Sequence, residues 1–211
     1  MTNPITGVIL SGGKSLRMGR NKAFIEIDGI PIIDRIYTVF KELFQEILII
    51  TDQQELFAYP DVKVYKDLLP HRGALGGLYT GLYLSSFPYT FCVACDMPFL
   101  KRPLIQFLID LLRDEDVLVP RTEDGLQPLH ALYSKGCLHP VKDLLDHGGY
   151  KIIDFYPVVK VRMIEERDFS FLDPGKESFI NVNTPDELLV LARRGSSPPA
   201  EARGHGRGRM R

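Results

Sequence analysis

Cysteine is scarce in this chain, 3 in 211 residues. An odd count argues against a disulfide framework. Cys92 and Cys95 make a Cys-x-x-Cys, a spacing shared with zinc and redox motifs, but no second pair completes four zinc ligands. Both lie in Tyr89-Thr90-Phe91-Cys92-Val93-Ala94-Cys95, which reads as a buried strand. Residues three apart on a strand point to opposite faces, so these read as structural thiols. Cys137 is isolated and carries no signal.

Excess charge is also lacking. Lys and Arg number 26 against 27 Asp and Glu, a formal net charge of −1. That removes any bulk electrostatic case for nucleic acid or a membrane surface. No apolar run approaches the ~20 residues that cross a bilayer. No basic segment followed by a long apolar stretch opens the chain, so no signal peptide is read and a cytoplasmic location is expected. What remains is enough hydrophobic residue, 45% of 211, for one α/β domain with a sizeable core.

Strand-like runs fall at Thr6–Leu10, Glu46–Thr51, Val62–Tyr65, Thr90–Cys95, Asp116–Pro120, Leu129–Tyr133, Pro157–Ile164 and Phe179–Val182. Helical spacing separates many of them, over Pro31–Phe44, Gly73–Ser86, Pro103–Arg113 and Lys135–Asp146. Thr184-Pro185-Asp186-Glu187 has the form of a capping box with proline at the first helical position. The alternation implies a Rossmann-like α/β domain over residues 1–194, its mostly parallel, mixed sheet covered by helices on both faces. From Gly195 the chain turns rich in Gly, Pro and Arg with almost nothing to bury, and 195–211 reads as a disordered basic tail.

The densest signal is the passage from Val8-Ile9-Leu10-Ser11-Gly12-Gly13 into a basic stretch with Lys14, Arg17, Arg20 and Lys22. Gly12 and Gly13 let backbone N–H groups approach phosphate oxygens and form an anion-binding concavity. Arg17 and Lys22 can neutralise charge that builds on phosphates during transfer. The loop is neither a Walker A nor a G-x-G-x-x-G sequence.

Other polar residues fall where strands of an open parallel sheet end, the edge where ligands bind. Asp96 follows Phe91–Cys95; it can hold Mg²⁺ or cap a helix starting near Pro98. Asp67 follows Val62–Lys66. Gly76 and Gly77 either let a base lie against backbone or let a helix pack closely on the sheet. Asn181 and Asn183 flank the end of the last run. His130 can contact a second substrate or sit in the core. His71, His139 and His147 show no ligand spacing.

The opening string resembles the Leu-x-Gly-Gly-x-x-x-Arg-Met-Gly-x-x-Lys motif of molybdenum cofactor guanylyltransferases, within the wider nucleotidyltransferase family. Leu10-Ser11-Gly12-Gly13 is similar to the guanylyl branch, where other members read Leu-Ala-Ala-Gly. Cys95-Asp96-Met97-Pro98, Val64-Tyr65-Lys66-Asp67, Gly73–Leu78 and Asn181-Val182-Asn183-Thr184-Pro185 resemble later family segments, from residue 5 to about 192. Ala74 replaces a common Pro, and Asn181 and Asn183 stand where several relatives carry a metal-binding Asp. They would serve as a neutral second ligand or as hydrogen-bond donors to substrate phosphate or ribose. Ile50-Thr51-Asp52 departs from an Asn in some members, so no contact is carried over there.

The resemblance implies an enzyme that transfers GMP from GTP to molybdopterin cofactor and releases pyrophosphate. Asp96 would bind Mg²⁺, Arg17 and Lys22 would act on the triphosphate, and Leu10, Ser11, Gly12, Gly13, Asp67, Gly76, Asn181 and Asn183 would hold the nucleotide and substrate. It also implies transient contact with proteins that carry or accept the cofactor. Two other readings stay open: a cytidylyltransferase or guanylyltransferase with a different phosphorylated acceptor, and a nucleotide-binding protein without turnover.

Overall fold

The computed structural model describes residues 4–12 and 21–182. Gly13, Arg17, Asn183, the expected helix at Thr184 and the expected tail from Gly195 lie outside them. The first strand, β1 (Ile5–Ser11), is buried at all seven positions. Burial on both faces is what a central parallel strand requires. A short hairpin, β2 (Glu26–Ile27) and β3 (Ile30–Pro31), leads into α1 (Ile32–Leu43). That helix buries Ile32, Ile33, Ile36 and Phe40, one stripe at helical spacing.

The chain then lays down β4 (Glu46–Thr51), β5 (Val62–Tyr65), α2 (Gly73–Leu84), β6 (Tyr89–Ala94) and α3 (Arg102–Leu111). After these come β7 (Val117–Thr122), β8 (Gly125–Leu126), β9 (His130–Ser134), α4 (Leu138–Asp146), β10 (Val161–Glu165) and the single turn α5 (Glu166–Phe169). The sheet order is β10-β7-β9-β6-β1-β4-β5, with β8 on β7. β1 pairs parallel with both β4 and β6, β4 with β5, and β7 with β10. β9 runs antiparallel to β6 and β7. The expected mixed, mostly parallel sheet is therefore present. From β1 the chain winds outward to β4 and β5, then returns to place β6 on the other side of β1. The order of winding reverses there, which opens a crevice at the carboxyl ends of β1 and β6.

One core lies between the sheet and α1 and α3, with Ile9, Ile36, Phe40, Phe91, Leu104 and Leu108. The other lies beneath α2 and α4, with Val8, Leu10, Leu48, Leu78, Leu82 and Leu145. Cys92 belongs to the second and Cys95 to the first, so the two thiols are free, buried and on opposite faces.

Two expected strands are not as read. Residues 157–160 are not in a strand: a 3-10 segment, Ile152–Val158, occupies the start of that run, and β10 begins only at Val161. Pro157 sits inside the 3-10 turn, where its fixed φ suits a helical conformation. Phe179–Val182 forms no strand. Glu177–Phe179 is a 3-10 turn because the buried Asp173 carboxylate accepts from Glu177 N at 3.0 Å and Ser178 N at 2.8 Å.

At the opposite edge of the sheet, Glu46 fastens three elements. Its carboxylate accepts from Thr6 Oγ1 at 2.7 Å, Ser86 N at 2.7 Å, Ser86 Oγ at 2.7 Å and Lys63 Nζ at 2.8 Å. Burial alone would raise its carboxyl; the donors outweigh burial and hold it at about 2.

Candidate active site

The site grows from the ends of β1 and β6. The ladder extends one residue past β6, where Cys95 N donates to Leu10 O at 3.0 Å. Asp96 therefore emerges at the rim, beside the Gly12 that follows β1. Its own carbonyl accepts from Val182 N at 2.8 Å, which ties the segment around Asn181 to the same edge. The helix after it starts at Arg102 with Lys101 at the cap position, so Asp96 is not its cap.

The Asp96 side chain is 21% exposed, and its Oδ1 is buried with no hydrogen-bond partner. Oδ2 lies 3.9 Å from Lys22 Nζ. Desolvation raises the Asp96 carboxyl above its ordinary value, and the Lys22 ammonium offsets part of that rise. Lys22 is delivered by a 3-10 turn, Lys22–Phe24, which Asn21 caps by accepting from Ala23 N at 3.0 Å. The Asn21 amide in turn donates to Gln53 at 2.9 Å, anchoring the turn to the segment after β4. Lys22 and Asp96, far apart along the chain, thus meet across the crevice through folded contacts.

A cavity of about 900 Å³ opens over this pair. Leu10, Gly12, Lys22, Asp67, Asp96 and Asn181 from the sequence reading all line it. Asp67 is fixed by Thr80 Oγ1 at 2.6 Å and Leu69 N at 3.0 Å, both donating to its Oδ1. Burial raises its carboxyl, and those two hydrogen bonds counter part of the rise. Ser11 is buried beneath the rim and is not part of the lining. Gly76 also packs behind the wall. A Cβ there would lie 2.8 Å from the Leu69 carbonyl and 3.1 Å from Asp67 Oδ2, while its neighbour Gly77 faces the cavity. Gly77 and Gly81 let α2 settle onto β1, where a Cβ would come within 3.1 Å of Leu10 and 2.7 Å of Val8. The close-packing reading of this glycine segment is therefore realised, and Gly77 also lines the cavity.

His130 is fully buried, its ring edge-on to Phe91 at 5.1 Å and Phe179 at 5.0 Å. Burial pushes it down to about 3, so it is neutral. It belongs to the core, while the adjacent Leu129 lines the cavity. Four polar lining residues carry no role in the sequence-based assignment: Thr51, Asp52, His71 and Tyr150. Thr51 and Asp52 end a strand as Asp67 and Asp96 do, and that position was the available signal. No comparable signal marks His71 or Tyr150, which arrive through a left-handed turn and a helix end.

The residues present fit a hard divalent cation. A buried, unpartnered carboxylate oxygen beside an open cavity is the donor type that Mg²⁺ takes. Among the described residues no group of three or more His, Cys, Asp or Glu side chains forms a metal cage. Asp96 would hold the ion singly, which matches the habit of Mg²⁺ to take one or two carboxylates and complete its shell with phosphates and water. No helix among the described residues is long and apolar enough to cross a membrane.

Residues 7–161 match the family model described as MobA-like NTP transferase domain. A probable molybdenum cofactor guanylyltransferase of Pelotomaculum thermopropionicum is 39% identical over 87% of this chain and 90% of its own length. The molybdenum cofactor guanylyltransferase of Desulfosudis oleivorans is 37% identical over 87% of this chain and 92% of its own. The crystal structure of molybdopterin-guanine dinucleotide biosynthesis protein A from Archaeoglobus fulgidus shares the fold, with a TM-score of 0.78 at 23% identity, covering 90% of this chain and 98% of that one. With the opening loop, the rim carboxylate and the match over most of its length in agreement, the chain belongs to the MobA-like NTP transferase family.

Proposed function

We propose that this chain transfers GMP from GTP to the phosphate of molybdopterin cofactor. The observation that carries the reading is the Lys22–Asp96 pair lining the cavity, with one buried oxygen of the Asp96 carboxylate lacking a hydrogen-bond partner among the described residues. The names of the relatives at 37–39% identity supply the donor and acceptor. An acceptor phosphate oxygen attacks the α-phosphorus of GTP. The new P–O bond forms as the bond to the bridging α–β oxygen breaks, and pyrophosphate leaves with that electron pair. The attacking phosphate is already anionic near pH 7, so no strong general base is needed. In-line positioning and charge neutralisation supply the rate.

Asp96 would hold Mg²⁺, which neutralises phosphate charge when bound. Lys22 places an ammonium beside the same phosphates. Gly12 offers backbone room to the nucleotide, and Asp67 stands where ribose and base would lie. Asn181 is at hand for the acceptor. Arg17, Gly13 and Asn183 complete the assignment from the sequence. On this reading the reaction runs in the cytoplasm, with transient contact between this chain and proteins that deliver or accept the cofactor.

The direct test is pyrophosphate release by purified protein given GTP, Mg²⁺ and molybdopterin; binding of GTP without any release would refute turnover. Lys22→Ala is expected to slow transfer by ~10²-fold while leaving guanosine affinity nearly unchanged, because the ammonium serves phosphates and not the base. Equal losses for guanosine and GTP would contradict that role. GTP is expected to exceed CTP by more than ~10-fold in kcat/KM, since a pocket matched to one base edge leaves buried polar groups unpaired with the other. Competition among the four nucleotides measures it, and a preference for CTP would overturn the guanylyl assignment.

A further inference from the structure

Among the described residues that line the cavity, only His71 and Tyr150 carry rings. Tyr150 is 59% exposed, a large flat side chain left open to solvent at the edge of the site. The Arg72 guanidinium lies over one face of that ring, 5.8 Å from its centroid. The turn that presents the ring is closely specified. α4 ends with Gly148 at φ +82°, Gly148 N donating to Leu145 O at 3.1 Å and Gly149 N to Leu144 O at 2.8 Å. A side chain at Gly149 would collide with Leu144. Beyond Tyr150 the chain is pinned again, where Ile152, Phe155 and Tyr156 enter the core beneath α2 and α4. An exposed ring thus stands between two fixed points, its backbone set before any ligand arrives.

The neighbours of this ring put it on the nucleotide's wall. Arg72 immediately precedes α2, and a Cβ at Gly76 would lie 2.8 Å from Arg72 Cβ and 3.1 Å from Asp67 Oδ2. Arg72 and Asp67 therefore lie side by side over Gly76, and Gly73, Ala74 and Gly77 of the same helix line the cavity next to them. Asp67 follows β5, two strands along the sheet from β1, whereas Lys22 and Asp96 meet at the ends of β1 and β6. A nucleoside triphosphate with its phosphates at Lys22 and its ribose at Asp67 carries its base on toward Arg72 and Tyr150. Gly73, Ala74 and Gly77 offer that base backbone but no flat surface; Tyr150 supplies one.

Resting on the proposed function, we propose that the open face of Tyr150 is the surface on which the donor's nucleobase stacks, which makes this residue a determinant of nucleotide affinity. Every base has a π-face, and an aromatic ring already held in place loses little freedom in meeting it.

The test is equilibrium binding to the purified protein with Mg²⁺ and no acceptor. Tyr150→Ala is expected to weaken guanosine and GTP by the same factor, about tenfold, and to leave the binding of tripolyphosphate unchanged. That is the mirror image of the effect expected for Lys22→Ala. Tyr150→Phe keeps the face and is expected to stay near wild type. The chain contains no tryptophan, so Tyr150→Trp provides a single reporter. Its emission is expected to be quenched by guanosine and by GTP and to be unchanged by tripolyphosphate. A Tyr150→Ala protein that binds every nucleoside as the wild type does, a loss shared by tripolyphosphate, or an emission that no nucleoside quenches would each overturn the assignment. The same effects with cytidine in place of guanosine would keep the stacking face and refute the guanylyl reading instead. Quenching by guanosine in a protein whose wild type releases no pyrophosphate would likewise refute turnover alone.

Discussion

Asp96→Asn is expected to lower kcat by at least ~10²-fold and, at the same time, to raise the melting temperature of the ligand-free protein. The two effects share one cause. Asp96 is held in a desolvated position with one oxygen unpartnered, and its carboxyl is raised above the ordinary value. A group whose folded pKa exceeds its unfolded pKa binds more protons in the folded state. Stability contributed by its protonation is present below the unfolded value and is lost as pH rises through the folded value. The ionised carboxylate is therefore the form that the fold holds less easily than the neutral one. An amide removes that burden and also removes the charge that would bind a cation. Loss of activity without loss of stability separates this role from a folding defect. Full kcat at saturating Mg²⁺ would overturn the metal assignment, and a lowered melting temperature would overturn the strain argument.

Glu46→Ala is expected to act in the opposite manner, with a large loss of stability and no selective effect on either substrate. The side chain takes four hydrogen bonds at one corner of the sheet, joining β1, β4 and the chain after α2 to Lys63 on β5. Removing it leaves the buried Thr6 hydroxyl and the Ser86 N–H without their acceptor, a loss on the order of 3 kcal/mol. For a domain of this size that is a fall of roughly 6–12 °C in Tm. The pH dependence has a definite sign. Because the folded carboxyl is held at about 2, below its ordinary 4.5, its contribution is present above 4.5 and is lost as pH falls toward 2. Wild-type Tm measured against pH should drop through that window more steeply than that of Glu46→Gln. Parallel curves would show that the network adds nothing.

The parts of the fold that the sequence made legible are those where a single period dominates. β4 and β5 begin and end where their apolar runs do, and α1 shows its buried stripe at Ile32, Ile33, Ile36 and Phe40. Legibility failed where an apolar run takes its shape from a distant partner. Residues 157–158 are apolar enough for a strand, yet Tyr156 packs its hydroxyl 3.0 Å from that of Tyr133 and the local chain stays in a 3-10 turn. Phe179 looks like the start of a strand but is drawn toward His130 and Phe169, and only Val182 reaches the sheet, through the Asp96 carbonyl. The site divides in the same way. Lys22, Asp67 and Asp96 were readable because motif and strand end coincide. Tyr150 was not, since nothing local tells that the end of α4 will meet the start of α2. Gly76 and Gly77 could not be separated by sequence alone, because a one-residue step around a helix decides which faces a cavity and which faces a loop.

β9 is the reversed strand between β6 and β7. Its reversal divides the enzyme's inheritance into two parts. The rim that carries Asp67 and Asp96 depends on the ends of parallel strands, whose positions are coupled to one another through the β6-β1-β4-β5 register. On the other side of β6 the cavity is bounded by Leu129, just before β9, which follows a hairpin that can lengthen or shorten while that register stays intact. The stretch 122–129 is therefore the part of the rim free to change in length without moving the strand ends that carry Asp67 and Asp96.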